Sequence, residues 1–307
     1  ALLTSVESPL RPSIWTQAVS ESFNALFAPI REFRLIEISD AQKTNFKTQA
    51  VNTFALVFGA VASWFVGLKL TNSVESIANK TPVKRLGVAR LPISLLELLF
   101  KFIAILLIVR ALHLSGLIGL KGSLFLDQLP YFSALFLFAL WLPKQLFSGD
   151  VGFLSSLNLN KKVTTSSNFA GAAIVLILFD LSATGLAQTS ITQDTYSFAV
   201  LIITISASLI LWRVCKSIKD IESLLAQKQV DDEQFRISFS RRLPNLIHRF
   251  LILSLFLAPI LVAVGYVNAG QELTRSAILS LGLIITVIII QDYVVDFYLM
   301  VLGEEED

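Results

Sequence analysis

Ionisable residues inside long apolar stretches are the candidates for chemistry in this chain, because a charge in hydrocarbon is costly and commonly functional. Arg110 and Asp180 lie in two such stretches. Both helices are predicted to run from the inside to the outside, and we expect the two residues to lie at similar depth, where an ion pair offsets the cost of burial. We expect an intramembrane ion pair between them. The alternative is that Arg110 extends outward toward the headgroups beside His113.

Two further pairs of polar residues lie near the ends of apolar stretches. Asp292 and Asp296 are four positions apart and so share one helix face, where paired carboxylates could bind a cation or relay protons. The alternative for this pair is a solvated helix end. His248 and Arg249 follow Pro244 at the start of a stretch and are candidates for interfacial anchoring or for facing an ion.

The sequence offers no further set of residues with recognisable catalytic or metal-binding spacing. His113 and His248 are far apart, and the lone Cys215 excludes an intramolecular disulfide. We find no nucleophile with a base and an orienting group, no glycine-rich phosphate loop and no basic-aromatic patch for nucleic acid. We therefore expect no enzyme activity, no metal, no cofactor and no nucleic-acid partner.

Seven long apolar stretches must position the polar residues. Hydrophobic residues make up 54% of the 307 residues, charged residues only 16%, and the mean hydropathy is +0.69, values that exceed those of ordinary soluble domains. Most stretches approach the ~20 residues that a helix needs to cross a bilayer. They cover residues 50–68, 92–112, 129–146, 169–186, 198–214, 246–266 and 276–298. The sequence predicts an all-α polytopic membrane protein with about seven transmembrane helices.

Basic residues fall mostly in alternate gaps between these stretches, which predicts the orientation. The gaps after the first, third and fifth stretches are rich in Lys and Arg, whereas the other three hold only Lys121 and Arg275. The positive-inside rule then places the N-terminus outside and the C-terminus in the cytoplasm. Basic residues within the first 49 positions favour the opposite, but long translocated segments are largely indifferent to charge.

The segments outside the predicted spans complete the domain organisation. Apolar residues at helical spacing within 14–38 predict an amphipathic helix, lying along the membrane interface or packed on the bundle. We assign 1–48 to a periplasmic or interfacial segment, 49–303 to a seven-helix membrane region with a cytoplasmic helical extension around 215–243, and 304–307 to an acidic end. A start at Ala1 without a signal peptide predicts a fragment of a longer protein; a processed N-terminus is the alternative.

Short strings of residues along nearly the whole chain indicate a family. They are Ser8-Pro9-Leu10, Pro12-Ser13-Ile14-Trp15, Ala111-Leu112, Ser115-Gly116-Leu117, Gly265-Tyr266, Ala269, Leu273, Arg275, Ser280-Leu281, Gln291-Asp292, Tyr298 and Gly303. In these strings the chain resembles the long bacterial members of the small-conductance mechanosensitive channel family, which carry additional membrane helices before the pore.

This resemblance implies a homo-oligomeric channel of the bacterial inner membrane, usually sevenfold, that opens under bilayer tension and releases osmolytes for protection against osmotic stress. In that membrane the N-terminus would be periplasmic and the C-terminus cytoplasmic. The family's Gly/Ala-rich pore helix and its cytoplasmic β domain do not occur in this sequence. The resemblance therefore implies the peripheral, membrane-sensing region of such a channel, with the lipid bilayer as its partner and without assignable gate residues.

A secondary transporter is the main alternative function. It would use Arg110 and Asp180 as midplane groups, and it predicts helices broken at related positions in two halves. Only Pro259 interrupts a stretch centrally, and no copy of this feature occurs in the other half. A seven-helix receptor or assembly factor is a further alternative.

Overall fold

Eight α-helices account for almost all of the residues that the structure describes. The computed structural model describes residues 8–35, 40–78, 83–116, 120–146, 159–187, 191–228 and 242–302. The helices are α1 (Pro12–Leu35), α2 (Asp40–Ala78), α3 (Val83–Ser115), α4 (Leu120–Leu146), α5 (Leu159–Ala187), α6 (Gln193–Lys228), α7 (Arg242–Val264) and α8 (Val267–Leu302). No strand occurs within these ranges, so the predicted all-α class is confirmed for them.

Six of the helices are long and apolar enough to cross a membrane. Their candidate spans are Lys47–Leu70, Leu91–Ser115, Gly122–Gln145, Ser166–Gly185, Gln193–Val214 and Val267–Gln291. A helix is expected here because hydrocarbon offers the backbone no external hydrogen-bond partner. The predicted stretch 246–266 corresponds to α7, whose described apolar part, Ile252–Val264, is shorter than the ~20 residues required. The seventh span and an interfacial position for α1 stay predictions.

The chain divides into two units that alternate along the sequence. Unit 1 comprises Ala1–Phe23 and Ser156–Ile285, and unit 2 comprises Asn24–Ser155 and Thr286–Asp307. Helices α5, α6 and α7 belong to unit 1, and α2, α3 and α4 to unit 2. Helices α1 and α8 each contribute residues to both units.

In unit 1, α6 packs against both α5 and α7. Small residues bring these helices together: a Cβ on Gly171 of α5 would lie 3.0 Å from the Ile210 side chain of α6. On the other side, the Ser208 hydroxyl of α6 donates to the Leu255 carbonyl of α7 at 2.9 Å. The resulting core is apolar, and its largest fully buried side chains include Phe179 and Leu211.

The connection between α7 and α8 consists of Gly265 and Tyr266 alone. Gly265 has φ +108°, a left-handed conformation that glycine adopts without strain. Its N–H donates to the Val262 carbonyl at 3.0 Å, and the Tyr266 N–H donates to the Leu261 carbonyl at 2.8 Å. This pair of bonds is the Schellman motif, which satisfies the last carbonyls of α7. The gap expected at 267–275 is therefore helical, because its polar residues belong to the first turns of α8.

In unit 2, α2 packs along α3, and α3 packs against α4. The stripe of α2 that is covered includes Thr53, Leu56, Gly59, Ala60, Ser63 and Gly67, which recur at helical spacing and are mostly small. A Cβ on Gly67 would lie 3.4 Å from Cβ of Phe100, so the helices approach closely there. The Ser63 hydroxyl donates to the Phe100 carbonyl at 2.8 Å. Small residues thus set the approach of two membrane helices, as in other bilayer bundles.

Candidate functional site

A polar network in unit 1 begins at the N-terminus of α6. Thr192 immediately precedes the helix, and its Oγ1 accepts a hydrogen bond from the Thr195 N–H at 3.4 Å. This is N-cap geometry, which satisfies one of the amides that the first turn leaves without an intrahelical acceptor. The capped end carries the positive pole of the helix dipole and therefore favours an anion beside it.

Glu21 of α1 supplies that anion. Its Oε2 accepts hydrogen bonds from the Thr195 hydroxyl at 2.6 Å, the Thr192 hydroxyl at 2.9 Å and the Thr192 N–H at 3.1 Å. Gln17 donates to Oε1 at 2.8 Å. These bonds stabilise the carboxylate, the one from Thr195 most of all, and they lower the pKa of Glu21 from 4.5 to about 2. Helix α1 is thereby attached to α6 through an ionised group.

Two further contacts hold the residues around the start of α1 against unit 1. The Ser8 hydroxyl donates to the Ala263 carbonyl near the end of α7 at 2.7 Å. The Trp15 ring lies 6.1 Å from the Phe198 ring of α6, and its indole N–H donates to the Pro9 carbonyl at 3.2 Å. Residues 8–21 therefore contact both α6 and α7.

A buried hydrogen bond connects α6 to α8. The Tyr196 hydroxyl donates to Gln271 Oε1 at 2.5 Å, and the two residues are 5% and 7% exposed. Because an unpaired polar group costs free energy in an apolar interior, each of these side chains depends on the other. The bond fixes the rotation of α8 relative to α6.

An ion pair connects α5 to α8 on the same side of α8. Arg275 Nη2 lies 3.0 Å from Asp180 Oδ1, and Nη1 lies 4.0 Å from Glu272 Oε1. Gln271 and Arg275 are four positions apart, so they project from one face of α8. Helix α8 therefore carries two polar contacts, one to α6 and one to α5.

Within unit 1, Asp180 has a partner that the sequence did not indicate, Arg275. Arg275, assigned to a loop by hydropathy, lies two turns inside α8. The expected pair of Asp180 with Arg110 joins residues of two different units and stays a prediction. Arg110 is exposed and belongs to unit 2, and its extension toward the headgroups stays a prediction.

The other candidate site residues lie on helices, but their side chains lie outside the described residues. Asp292 and Asp296 belong to α8, and His248 and Arg249 to α7. Their spacing on a helix is therefore as expected, whereas cation binding, proton relay and interfacial anchoring stay predictions.

A second polar cluster lies in unit 2 around a buried carboxylate. Glu97 of α3 is 7% exposed and lies beside two lysines, Lys101 one turn along α3 and Lys144 on α4. Lys144 Nζ is 3.2 Å from Glu97 Oε2, and Lys101 Nζ contacts Oε1. The i,i+4 spacing of Glu97 and Lys101 favours their ion pair. No signal in the sequence indicates Lys144, 47 positions away.

A third polar contact lies at the opposite end of the α3–α4 pair. His113 Nε2 lies 3.1 Å from Asp127 Oδ1, and His113 Nδ1 lies 3.0 Å from the Val109 carbonyl. Glu97 and His113 are 16 positions apart on α3, and Asp127 and Lys144 are 17 apart on α4. At ~1.5 Å per residue, the two polar levels are therefore about 24 to 26 Å apart. This separation is close to the ~30 Å of a hydrocarbon core.

Helix α2 exposes large apolar side chains over most of its circumference. The most exposed are Val51 at 78%, Phe58 at 76%, Phe54 at 67% and Phe65 at 64%. They lie outside the small-residue stripe that contacts α3. An apolar surface of this extent is stable in lipid and unstable in water.

The described residues contain no group of three His, Cys, Asp or Glu side chains that could hold a metal ion. The polar networks described above are hydrogen bonds and ion pairs between helices, and they hold those helices in position. No family model matches this chain, and no match is found among curated proteins or solved structures.

Proposed function

We propose that this chain is the peripheral, membrane-sensing region of a mechanosensitive channel that bilayer tension opens for osmotic protection. The observation that carries the proposal is α2, whose large apolar side chains are exposed except along the stripe against α3. The resemblance to the long bacterial small-conductance channels supports the same assignment. In this proposal the exposed faces contact lipid, and the chain assembles as a homo-oligomer in the inner membrane.

The mechanism follows from the geometry of unit 2. Stretching a bilayer thins it, so helices with a fixed apolar length become mismatched. Mismatch costs fractions of a kcal/mol per Å, and the cost sums over the subunits of an oligomer. The polar contacts at Glu97 and at His113 fix the apolar length of the α3–α4 pair. When the bilayer thins, the pair can therefore restore the match only by tilting. States that differ in tilt or in-plane area are then weighted differently under tension.

The remaining features of the topology belong to the same proposal. Helix α7 supplies a seventh span, α1 lies at the outer interface or on the bundle, the N-terminus is periplasmic and the C-terminus cytoplasmic. Sevenfold symmetry is what the family resemblance implies.

Patch recording under graded suction tests the proposal, in a channel that contains this chain. Replacing Phe65, which is 64% exposed, or Phe136, which is 37% exposed, with Asp places a charge in lipid and should shift the tension threshold with little change in conductance. Replacing buried Ala60 with Gly is the packing control. Unchanged thresholds for both aspartates, with normal expression, would contradict the proposal.

A secondary transporter is the second candidate function, and the Asp180–Arg275 ion pair is the observation that favours it. Together with Tyr196 and Gln271 it forms a set of convergent polar groups within a helix bundle. Tension-independent, substrate-specific flux into liposomes that carry the chain would support this function and replace the channel proposal.

A further inference from the structure

The cluster around Glu97 carries a net positive charge. One carboxylate lies between two ammonium groups, those of Lys101 and Lys144. Two ammonium groups offer six N–H donors, whereas a carboxylate accepts about four hydrogen bonds. Glu97 therefore neutralises one lysine and leaves donors available on the exposed side, where 49% of the Lys144 side chain is accessible.

Aromatic residues place this charge in the layer where headgroups lie. The Trp64 ring of α2 lies 6.0 Å from Lys101 Nζ, and Trp64 is 41% exposed. On the other side, the buried Trp141 of α4 donates to the Ser94 hydroxyl at 3.2 Å. Tryptophan concentrates at the membrane interface, and the cluster forms one boundary of the 24 to 26 Å apolar layer, estimated at ~1.5 Å per residue.

We propose that Lys144, Lys101 and Trp64 bind the phosphate of an anionic phospholipid headgroup. Lys144 donates to the phosphate oxygens from the exposed side, Lys101 adds charge, and the Trp64 indole lies beside the headgroup. The exposed apolar side chains of Phe65, next to Trp64, and of Leu140, one turn before Lys144, offer contacts for the acyl chains. These apolar contacts favour a lipid over free phosphate as the source of the anion.

The buried Glu97 carboxylate should weaken lipid binding at this site. Glu97 competes with the headgroup for the same two lysines, so its removal should strengthen lipid binding. Replacement of Lys144 should weaken it. A contact that only holds α3 to α4 would lose stability in both variants and would not change lipid retention in opposite directions. The inference requires only that the chain lies in a bilayer, and it stands whether or not the protein senses tension.

Native mass spectrometry of the detergent-extracted protein, titrated with phosphatidylglycerol or phosphatidylcholine, tests the proposal. We expect Lys144→Gln to weaken phosphatidylglycerol binding about fivefold, the factor that one lysine near an anionic surface contributes. Lys144→Arg should retain binding, and Glu97→Gln should increase it. Lys47→Gln, which removes an exposed lysine elsewhere on α2, is the charge-matched control and should have little effect.

Three results would overturn the proposed lipid site. Equal losses in Lys144→Gln and Lys47→Gln would mean unspecific attraction and would overturn the proposal. Reduced binding in Glu97→Gln, with circular dichroism and elution volume unchanged, would overturn it as well. Complete displacement of the lipid by inorganic phosphate would identify a free-anion site instead. Tension recordings are not needed, so failure here leaves the proposed function untouched.

Discussion

At the scale of single residues, Gly270 sets how closely α7 and α8 approach. A Cβ at this position would lie 2.3 Å from Val262 Cγ2 and 2.7 Å from the Ala258 carbonyl oxygen. The second contact is with backbone and cannot be relieved by a rotamer change. The turn at Gly265 lies five residues away. The short connection there and the absence of a side chain at Gly270 both bring α7 and α8 close together.

We predict that Gly270→Ala destabilises the protein by about 3 kcal/mol or more, because overpacking here displaces a helix backbone. Thermal unfolding in detergent, followed by tryptophan fluorescence, measures the effect. Gly282→Ala is the matched control on the same helix, since a Cβ at Gly282 meets nothing within 4 Å. Its melting temperature should be unchanged or slightly higher, because alanine favours helix. Equal melting temperatures for the two variants would contradict the predicted close approach.

A pH dependence follows from Glu21. Its pKa is about 2 in the folded protein and 4.5 as its ordinary value, so folding favours the ionised carboxylate. The stabilisation is therefore complete above pH 4.5 and is lost as the pH falls from 4.5 toward 2. The melting temperature of the wild type relative to Glu21→Gln should decline across that window.

Thr195→Val tests the cause of this pKa shift, because Thr195 donates the bond that lowers the pKa of Glu21 most. Without that bond the pKa of Glu21 in the folded protein rises toward its ordinary value. The loss of stability should therefore be smaller and should be complete at a higher pH, while its onset near pH 4.5 stays the same. A stability difference between wild type and Glu21→Gln that stays constant from neutral pH down to pH 2 would argue against the Glu21 network.

At the scale of elements, hydropathy predicted the helices better than their ends. The apolar stretch 276–298 identified α8, but the helix begins at Val267, because Asn268, Gln271 and Arg275 are polar without being helix-breaking. Two of them, Gln271 and Arg275, make interhelical contacts. Hydropathy therefore assigned Gln271 and Arg275 to a loop and missed two contacts that position α8.

Side-chain pairing was predictable only where it is local. The Glu97–Lys101 pair follows from i,i+4 spacing, whereas Lys144, Arg275 and Glu21 meet partners 47, 95 and 171 positions away. Depth along a helix gives one coordinate of a residue. The direction in which its side chain points around the helix axis, and the helix that it meets there, are set by packing. No single residue in the sequence indicates either of them.

The pairing of α5 with α8 gives a prediction at this scale. Asp180→Asn and Arg275→Gln should each lower stability, and together they should cost less than the sum, with a coupling of about 1 to 3 kcal/mol. The exchange of Asp180→Arg with Arg275→Asp should recover part of the loss. Asp180→Asn combined with Lys216→Gln, an exposed residue of α6, is the control pair, and its losses should add. Additive losses for Asp180 and Arg275 would count against the contact.

At the scale of the whole molecule, both units present apolar surfaces of the kind that membrane proteins expose to lipid. In unit 1, α7 exposes Leu253, Phe256 and Ile260 along one face, and in unit 2 α2 exposes most of its circumference. Polar contacts limit the apolar length of the α3–α4 pair at both ends. The exposed apolar surfaces therefore indicate a membrane protein, whereas its orientation in the membrane depends on the charged residues between the helices.

Orientation can be measured on a single helix. Asp194 and Lys216 are exposed residues at the two ends of the α6 span, 22 positions or about 33 Å apart. We predict that Asp194 faces the periplasm and Lys216 the cytoplasm, because basic residues concentrate around and beyond the end of the α6 span at Val214 and are absent from the gap before it. After replacement of Cys215 by Ser, a single cysteine is placed at either position, and intact cells are treated with a membrane-impermeant thiol reagent. Labelling at 194 alone is the expected result, with labelling of 216 appearing only after lysis. The reverse pattern would invert the topology, and labelling of both positions in intact cells would mean that α6 does not cross the membrane.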